Sequence, residues 1–180
     1  MKNKIFISIN IPSKVKKRLF LAIEKWQELP VKWEKEADLH ITLVYLGFTD
    51  EEVVLEICEK VKKACEDVDI FDIRFDQIEL FPSAEEPKVI ALTGEPSEEL
   101  KNLVNAIEKE LGISTSPKKS FRPHITLGRV KKHKWETLED KPLILEKFPL
   151  TVDANSVDVM TSQFSSKENR YSILDSCPLQ

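Results

Sequence analysis

Residues 5–46 align with residues 89–130 without a gap, and 13 of the 42 paired positions are identical. Unrelated segments of ordinary composition would share roughly two or three. Pro12-Ser13 returns as Pro96-Ser97, Lys17 as Lys101, Leu19 as Leu103, and Ala22-Ile23-Glu24-Lys25 as Ala106-Ile107-Glu108-Lys109. Lys35 matches Lys119, and the tetrapeptide His40-Ile41-Thr42-Leu43 recurs as His124-Ile125-Thr126-Leu127. The chain is an internal duplication, and its fold must accommodate two like units around shared apolar surface.

Both copies read alike. A short apolar stretch, KIFISINI in the first and KVIALTG in the second, is consistent with a buried strand. Pro-Ser then introduces an amphipathic helix. Val15, Leu19, Ala22, Ile23 and Trp26 follow helical spacing in one copy, and Leu100, Leu103, Val104, Ile107 and Leu111 in the other. Gly112 supplies a stop signal. Each copy then reaches its HITL strand. Between them, Asp50 is placed to cap a helix to about Cys65, and Ile70–Phe81 alternates as a strand through Phe71, Ile73 and Phe75. After the second HITL come a Lys-rich loop and strands near Leu143–Phe148, Leu150–Met160 and Tyr171–Leu174, with Pro142 and Pro149 as breaks. Nothing reads as a flexible linker. The expected fold is α+β: one domain over 1–180, bilobal and pseudo-twofold, with antiparallel sheets, outer helices and a central cleft between the HITL strands.

The composition, 41% hydrophobic and 32% charged, is that of a soluble globular chain. Only four glycines are present and no GxGxxG or P-loop pattern, so any phosphate must be held by side chains. A net charge of −4 argues against a protein that coats nucleic acid. Yet Pro117–Trp135 carries Lys118, Lys119, Arg122, Arg129, Lys131, Lys132 and Lys134 and no acid. This stretch has two readings, a solvated rim or a local field for a small anion or an RNA end. The second predicts salt-sensitive RNA affinity. Cys58, Cys65 and Cys177 lack metal-ligand spacing and read as core in a reduced, cytoplasmic protein. The N-terminal apolar run is interrupted by Asn10 and Pro12, and it reads as a first strand rather than a signal peptide. No run is long enough to span a membrane.

On a strand, residues two apart share a face, so His40 pairs with Thr42 and His124 with Thr126. Duplication then aims two imidazoles and two hydroxyls at one point. One neutral imidazole can take a proton from a nucleophile while an imidazolium gives one to a leaving oxygen. Threonine hydroxyls can donate to the non-bridging oxygens of a phosphate. This set suits a reactive phosphodiester, such as a strained cyclic one. A lone strand histidine is usually structural, but two in duplicated contexts, each followed by Thr, favour a site. His-x-Thr offers one good metal ligand per strand, and no HxH, HExxH or neighbouring carboxylate completes a shell, so no metal and no cofactor is expected. No GxSxG is present for a serine hydrolase. His133, in KKHKW, reads as a surface-loop residue.

The pair HITLVYLG and HITLGR, the latter after Phe121-Arg122-Pro123, resembles the two signatures of the two-histidine (2H) phosphoesterases. Within that superfamily the chain is most similar to bacterial and archaeal RNA 2′,3′-cyclic phosphodiesterases, also called 2′-5′ RNA ligases. Val31-Lys32-Trp33-Glu34, Ile78-Glu79-Leu80-Phe81-Pro82 and the tail from Val157 to Leu174, with Ser162 and Tyr171, extend the likeness over nearly the whole chain. The resemblance implies metal-independent hydrolysis of a 2′,3′-cyclic phosphate to a 2′-phosphomonoester. It implies His40 as general acid, His124 as general base, and Thr42 and Thr126 on the phosphate oxygens. Arg129 matches the arginine closing the second motif, although simple alternation turns it away from His124. Arg122 is a further electrostatic candidate, and Tyr45 is either a core aromatic or a base-stacking surface.

The implied partners are RNA ends or cyclic nucleotides. A complete site in one chain requires no protein partner, so a monomer is expected. Alternatives remain: another phosphodiester (a cyclic ADP-ribose derivative, a 2′-5′ linkage or an RNA 3′ end), 2′-5′ ligation by the same groups, or a module that binds without turnover.

Overall fold

A computed structural model of the chain describes residues 2–113, 120–164 and 169–180; Lys118 and Lys119 lie outside them. The first copy supplies β1 (Lys2–Asn10), α1 (Ser13–Ala22), β2 (Val31–Trp33) and β3 (His40–Asp50), followed by α2 (Val54–Cys65) and β4 (Phe71–Phe81). The second supplies β5 (Val89–Gly94), α3 (Glu98–Leu111) and β6 (His124–Val130). Then come α4 (Lys132–Glu136), β7 (Leu145–Ala154), β8 (Ser156–Phe164) and β9 (Asn169–Pro178).

The strands form one sheet in the order β7-β4-β5-β6-β3-β1-β8-β9, with β2 added on β6. Each pairing is antiparallel. Read outward from the β6–β3 boundary, the two halves match: a HITL strand, the first strand of its copy, then two more. The boundary is held by one pair, Ile41 with Ile125. These residues are repeat equivalents and both are fully buried, so the pseudo-twofold axis runs through their contact. Against the HITL strands, Asn10 pairs with His40 and Thr93 with His124. The first strands therefore correspond at an offset of 83, one short of the 84 relating the histidines.

The helices exchange halves. Lys25, just past α1, forms an ion pair with Glu146 of β7, and the Arg18 guanidinium lies 4.9 Å over the Phe148 ring. Helix α3 packs on α2, joined by Lys63–Glu110 at 3.3 Å, and α2 packs on β8 and β9. Apolar faces at helical and strand spacing meet between these layers, where Ile5, Ile7, Leu19, Val61, Ile90, Leu103 and Ile107 are buried. Cys58, Cys65 and Cys177 are buried free thiols. Burial pushes Cys65 up to about 12 and Cys177 to about 11, so both stay protonated and unreactive at neutral pH.

Several local expectations are corrected. Asp50 makes no side-chain cap; a 3₁₀ turn over Glu51–Val53 intervenes and α2 starts at Val54. The burial phase of β4 moves from Ile73 and Phe75 to Ile78 and Leu80, because a bulge lies between Phe75 and Gln77 in both of its pairings. Strand β7 runs through Pro149 rather than breaking there. It is an edge strand, and Pro149 sits opposite that bulge, where no ladder N–H is required. The Lys-rich segment forms α4, anchored by buried Trp135, whose backbone N–H donates to Lys131 O at 2.9 Å. His133 is on this helix and is exposed. No helix among the described residues is long and apolar enough to cross a membrane.

The two repeat helices differ at their starts. Ser97 caps α3, its hydroxyl accepting from Leu100 N–H at 3.2 Å, and Gly112 ends the helix at φ 67°. Ser13 makes no such bond because Pro12 occupies the cap position of α1. Ser97→Ala is therefore expected to cost about 1 kcal/mol, whereas Ser13→Ala leaves the urea midpoint nearly unchanged. Equal shifts for the two variants would contradict this asymmetry.

Candidate active site

Both HITL strands carry the same defect. In β3, Thr42 pairs with Ser8 and Val44 with Ile7, leaving Leu43 unopposed. In β6, Thr126 pairs with Ala91 and Gly128 with Ile90, leaving Leu127 unopposed. Leu43 and Leu127 are repeat equivalents, so the bulge itself is duplicated. A bulge adds one residue and reverses which face the following side chains take. After Leu43 it turns Tyr45 to the face of His40 and Thr42; after Leu127 it turns Arg129 to the face of His124 and Thr126.

Antiparallel pairing through Ile41 and Ile125 sets His40 across from Thr126 and Thr42 across from His124. The histidines thus occupy one diagonal of a four-cornered site and the threonines the other, with diagonal positions in a regular ladder roughly 7–8 Å apart. Only the isoleucine pair bridges the strands, so the corners stand open to a cleft of about 850 Å³.

His40 Nδ1 lies 2.6 Å from Asp38 O and His124 Nδ1 lies 3.5 Å from Arg122 O. A carbonyl only accepts, so each Nδ1 carries a proton and each neutral ring presents Nε2 as its lone pair. Asp38 and Arg122 are themselves 84 residues apart. The Thr42 hydroxyl donates to His40 Nε2 at 2.9 Å. Rings fix the imidazole planes: Phe6 at 5.0 Å and the edge of Tyr171 at 5.8 Å from His40, and Phe81 stacked at 4.9 Å on His124. Burial lowers both imidazoles below the usual value, partly offset by the carbonyl bonds. The positive charges of Lys16, Arg129 and His124 lower His40 further.

The remaining candidates separate. His40, Thr42, His124, Thr126, Tyr45 and Arg129 all line the cleft. Tyr45 is 61% exposed, which removes the core reading. Arg122 is elsewhere: its Nε donates to Gly94 O at 2.9 Å, and its Nη2 reaches Thr93 Oγ1 at 3.1 Å and Glu79 Oε1 at 3.2 Å. Its guanidinium braces the turn that presents the carbonyl to His124, and the cleft wall does not include it.

Sequence reasoning assigned no site role to Phe6, Lys32, Glu34, Phe81 or Lys88, which also line the cleft. Lys32 arrives on β2 and Glu34 directly after it; β2 lies so close to β6 that a Cβ on Gly128 would stand 2.5 Å from Val31 Cγ1. Glu34 N–H donates to the bulge carbonyl of Leu127 at 2.9 Å, and its carboxylate meets Arg129 Nε at 3.3 Å. Burial raises the Glu34 carboxyl, with Arg129 opposing. The signal available for these residues was their place in the segments flanking each motif.

Two His-x-Thr strands facing one cleft across an antiparallel sheet define a two-histidine phosphoesterase scaffold. The family model described as the 2′-5′ RNA ligase superfamily matches residues 12–163, and the chain belongs to that superfamily. The RNA 2′,3′-cyclic phosphodiesterase of Thermotoga maritima is 29% identical, covering 98% of this chain and 96% of that protein. Among solved structures, TT0787 of Thermus thermophilus superposes with a TM-score of 0.81 at 22% identity, covering 98% of this chain and 97% of that one. E. coli LigT complexed with 3′-AMP does so at 0.78 and 19%, covering 99% of each chain. At these identities the structural likeness establishes the fold.

Burial opposes the imidazolium form, so in the free protein both His40 and His124 are expected to titrate below 6.5, the ordinary value. Inorganic phosphate in the cleft favours the cation and is expected to move both midpoints upward. NMR titration of the ring C–H signals reads both effects; free-state midpoints at or above 6.5 would show that burial does not dominate.

Proposed function

We propose that the protein hydrolyses 2′,3′-cyclic phosphates on RNA ends or nucleotides to 2′-phosphomonoesters, using its own side chains alone. The observation carrying this reading is the equivalent Nδ1–carbonyl bonds that turn two repeat-related Nε2 atoms toward one cleft. The Thermotoga protein of nearly equal length, named for this activity, supports the substrate class. The same reading takes residues 1–180 as one domain of two intertwined lobes, 5–46 matching 89–130, with catalysis complete in a monomer. Three buried free thiols support a reducing, cytoplasmic setting.

His124 Nε2 takes a proton from water as the water oxygen attacks phosphorus. The bond from phosphorus to the 3′ oxygen breaks, and His40, as imidazolium, gives that oxygen a proton. The products are a 3′-hydroxyl and a 2′-phosphate, leaving His124 charged and His40 neutral until solvent exchanges the protons. Thr42 and Thr126, at the other two corners, donate to the non-bridging oxygens. Thr42, bonded to His40 Nε2 in the free protein, is released to the phosphate when His40 is protonated and its Nε2 ceases to accept. Arg129 offsets the developing charge, and Tyr45 offers its exposed ring to a base. With an RNA 5′-hydroxyl in place of water as the attacking group, the same proton transfers break the bond from phosphorus to the 3′ oxygen and join ends through a 2′-5′ bond.

In EDTA, wild-type protein is expected to convert an RNA ending in a 2′,3′-cyclic phosphate to the 2′-phosphate. His40→Ala and His124→Ala should each lose about 10²–10⁴ in kcat. Loss of wild-type turnover in the chelator, or a 3′-phosphate product, would overturn the mechanism.

The pH profile gives a second check. Catalysis needs one charged and one neutral histidine, and both titrate below the ordinary value in the free protein. The maximum of kcat/KM should therefore lie below pH 6.5, while that of kcat lies higher because bound phosphate stabilises the imidazolium. A kcat/KM that keeps rising above neutrality would contradict this assignment.

A further inference from the structure

The two halves of the cleft are chemically unlike. On the His40 side stand Phe6, Tyr45 and Tyr171 with one cation, Lys4; on the His124 side stand Lys32, Lys88 and Arg129 with one ring, Phe81, stacked on the histidine. The contrast begins at repeat-equivalent positions, since Tyr45 and Arg129 are 84 residues apart and follow the same bulge.

The pairing register gathers the cations. Lys32 pairs with Arg129 from one side, and Val89 pairs with Arg129 from the other. Lys88 precedes Val89, and its carbonyl accepts from Val130 N–H at 2.9 Å. Lys32 thus flanks Arg129 directly, while Lys88 stands at the cleft wall just ahead of β5 and level with Val130, its backbone roughly 10 Å from that of Lys32 across two strand spacings.

Most other cations near the two histidines are engaged. Arg129 holds Glu34, Arg122 holds Glu79, Lys16 donates to Ala37 O, and Lys4 lies over the Phe48 ring. Among the described residues, neither Lys32 nor Lys88 forms a salt bridge, and Glu34, the carboxylate that acts on Lys32 through space, is already bound to Arg129. Two such ammonium groups beside a guanidinium repel one another, and an anion between them relieves that repulsion. The reacting phosphate already has the threonines and Arg129. A second phosphate remains to be matched.

We infer that Lys32 and Lys88 form a subsite for the phosphate on the 5′ side of the terminal nucleotide, which orients an RNA end across the cleft. This rests on the cyclic phosphodiesterase reading above. The terminal base then lies on the aromatic half, against Tyr45, and the chain leaves over the two lysines. A nucleoside 2′,3′-cyclic phosphate lacks that second phosphate, so the subsite discriminates between chain ends and free nucleosides. The group recognised is a phosphate ester, whether an internucleotide linkage or a 5′-phosphate.

The test compares three substrates: a nucleoside 2′,3′-cyclic phosphate, the same with a 5′-phosphate, and a short RNA ending in the cyclic phosphate. In wild type the second and third are expected to exceed the first in kcat/KM. In the Lys32→Gln/Lys88→Gln variant, the ratio of RNA to nucleoside should fall about tenfold. The slope of log kcat/KM against log salt for RNA should shrink by about 0.7 for each phosphate that is no longer neutralised. Tyr45→Ala should lower all three together and leave the ratio. A gain with the 5′-phosphate equal to that with RNA locates recognition in one phosphate; a gain with RNA alone assigns it to the internucleotide linkage.

An unchanged ratio and salt slope in the double lysine variant would overturn the subsite. If wild type turned over none of the three, the phosphodiesterase reading would fail instead. Binding of a 5′-labelled short RNA with a terminal phosphate, followed by fluorescence anisotropy, still tests the lysines in that case. Equal affinity and equal salt dependence for wild type and variant would then exclude them.

Discussion

The two halves of the molecule meet at the Ile41–Ile125 pair, and the site depends on how little else joins them. A longer ladder between β3 and β6 would zip the HITL strands together and bring His40 against Thr126 and Thr42 against His124. One bridge keeps the strands in a fixed register while leaving the four corners free. Both isoleucines are fully buried, so the apolar layer beneath holds the register that so few backbone bonds specify. Exchange of the helices between halves works in the same direction, because Arg18 of α1 and Lys25 just past it tie the first copy's helix to β7 of the other half.

The bulges at Leu43 and Leu127 carry the second layer of the design. A regular strand would have sent Tyr45 and Arg129 into the core, where a guanidinium is costly to bury. With the bulge, each leucine goes to the core and the residue two places on enters the cleft. Because the bulge is duplicated but the residue after it is not, a symmetric frame holds an asymmetric pair of contacts: a ring on one side, a cation on the other. Glu34 then grips Arg129 at Nε, which leaves the two terminal nitrogens available to an anion.

Burial sets the electrostatics. Both imidazoles are pushed toward the neutral form, so the free cleft holds fewer charges than its lining residues suggest. Of the cations that remain, only Arg129 belongs to the basic stretch. Of the described residues in 117–135, only Arg129 and the histidine–threonine pair face the cleft, while Arg122 is drawn onto Glu79 and the lysines of α4 face solvent. Lys32 comes from β2 and Lys88 from the residue before β5, on either side of β6, and both line the same cleft as Arg129 though far from it in the chain.

The repeat, the His-x-Thr pairs, the strand–helix–strand order of each copy and the family they resemble were all legible in the order of residues. These are local periodicities and identities, and period-2 and period-3.6 patterns survive without knowledge of neighbours. The same patterns located His40, Thr42, His124 and Thr126 on one face of their strands, since no bulge interrupts those two-residue steps. Beyond the second threonine the reading failed, because a bulge is a property of two paired strands and leaves no mark on one. That is why Arg129 was expected to point away and Tyr45 had two readings. The phase change in β4, the passage of β7 through Pro149 and the ring partners Phe6 and Phe81 follow the same rule: each is set by which strand lies alongside. Which cations share the cleft is a matter for the folded chain, because charge acts through space. The fold brings Lys32 and Lys88 to Arg129 while turning its nearer neighbours in the chain away.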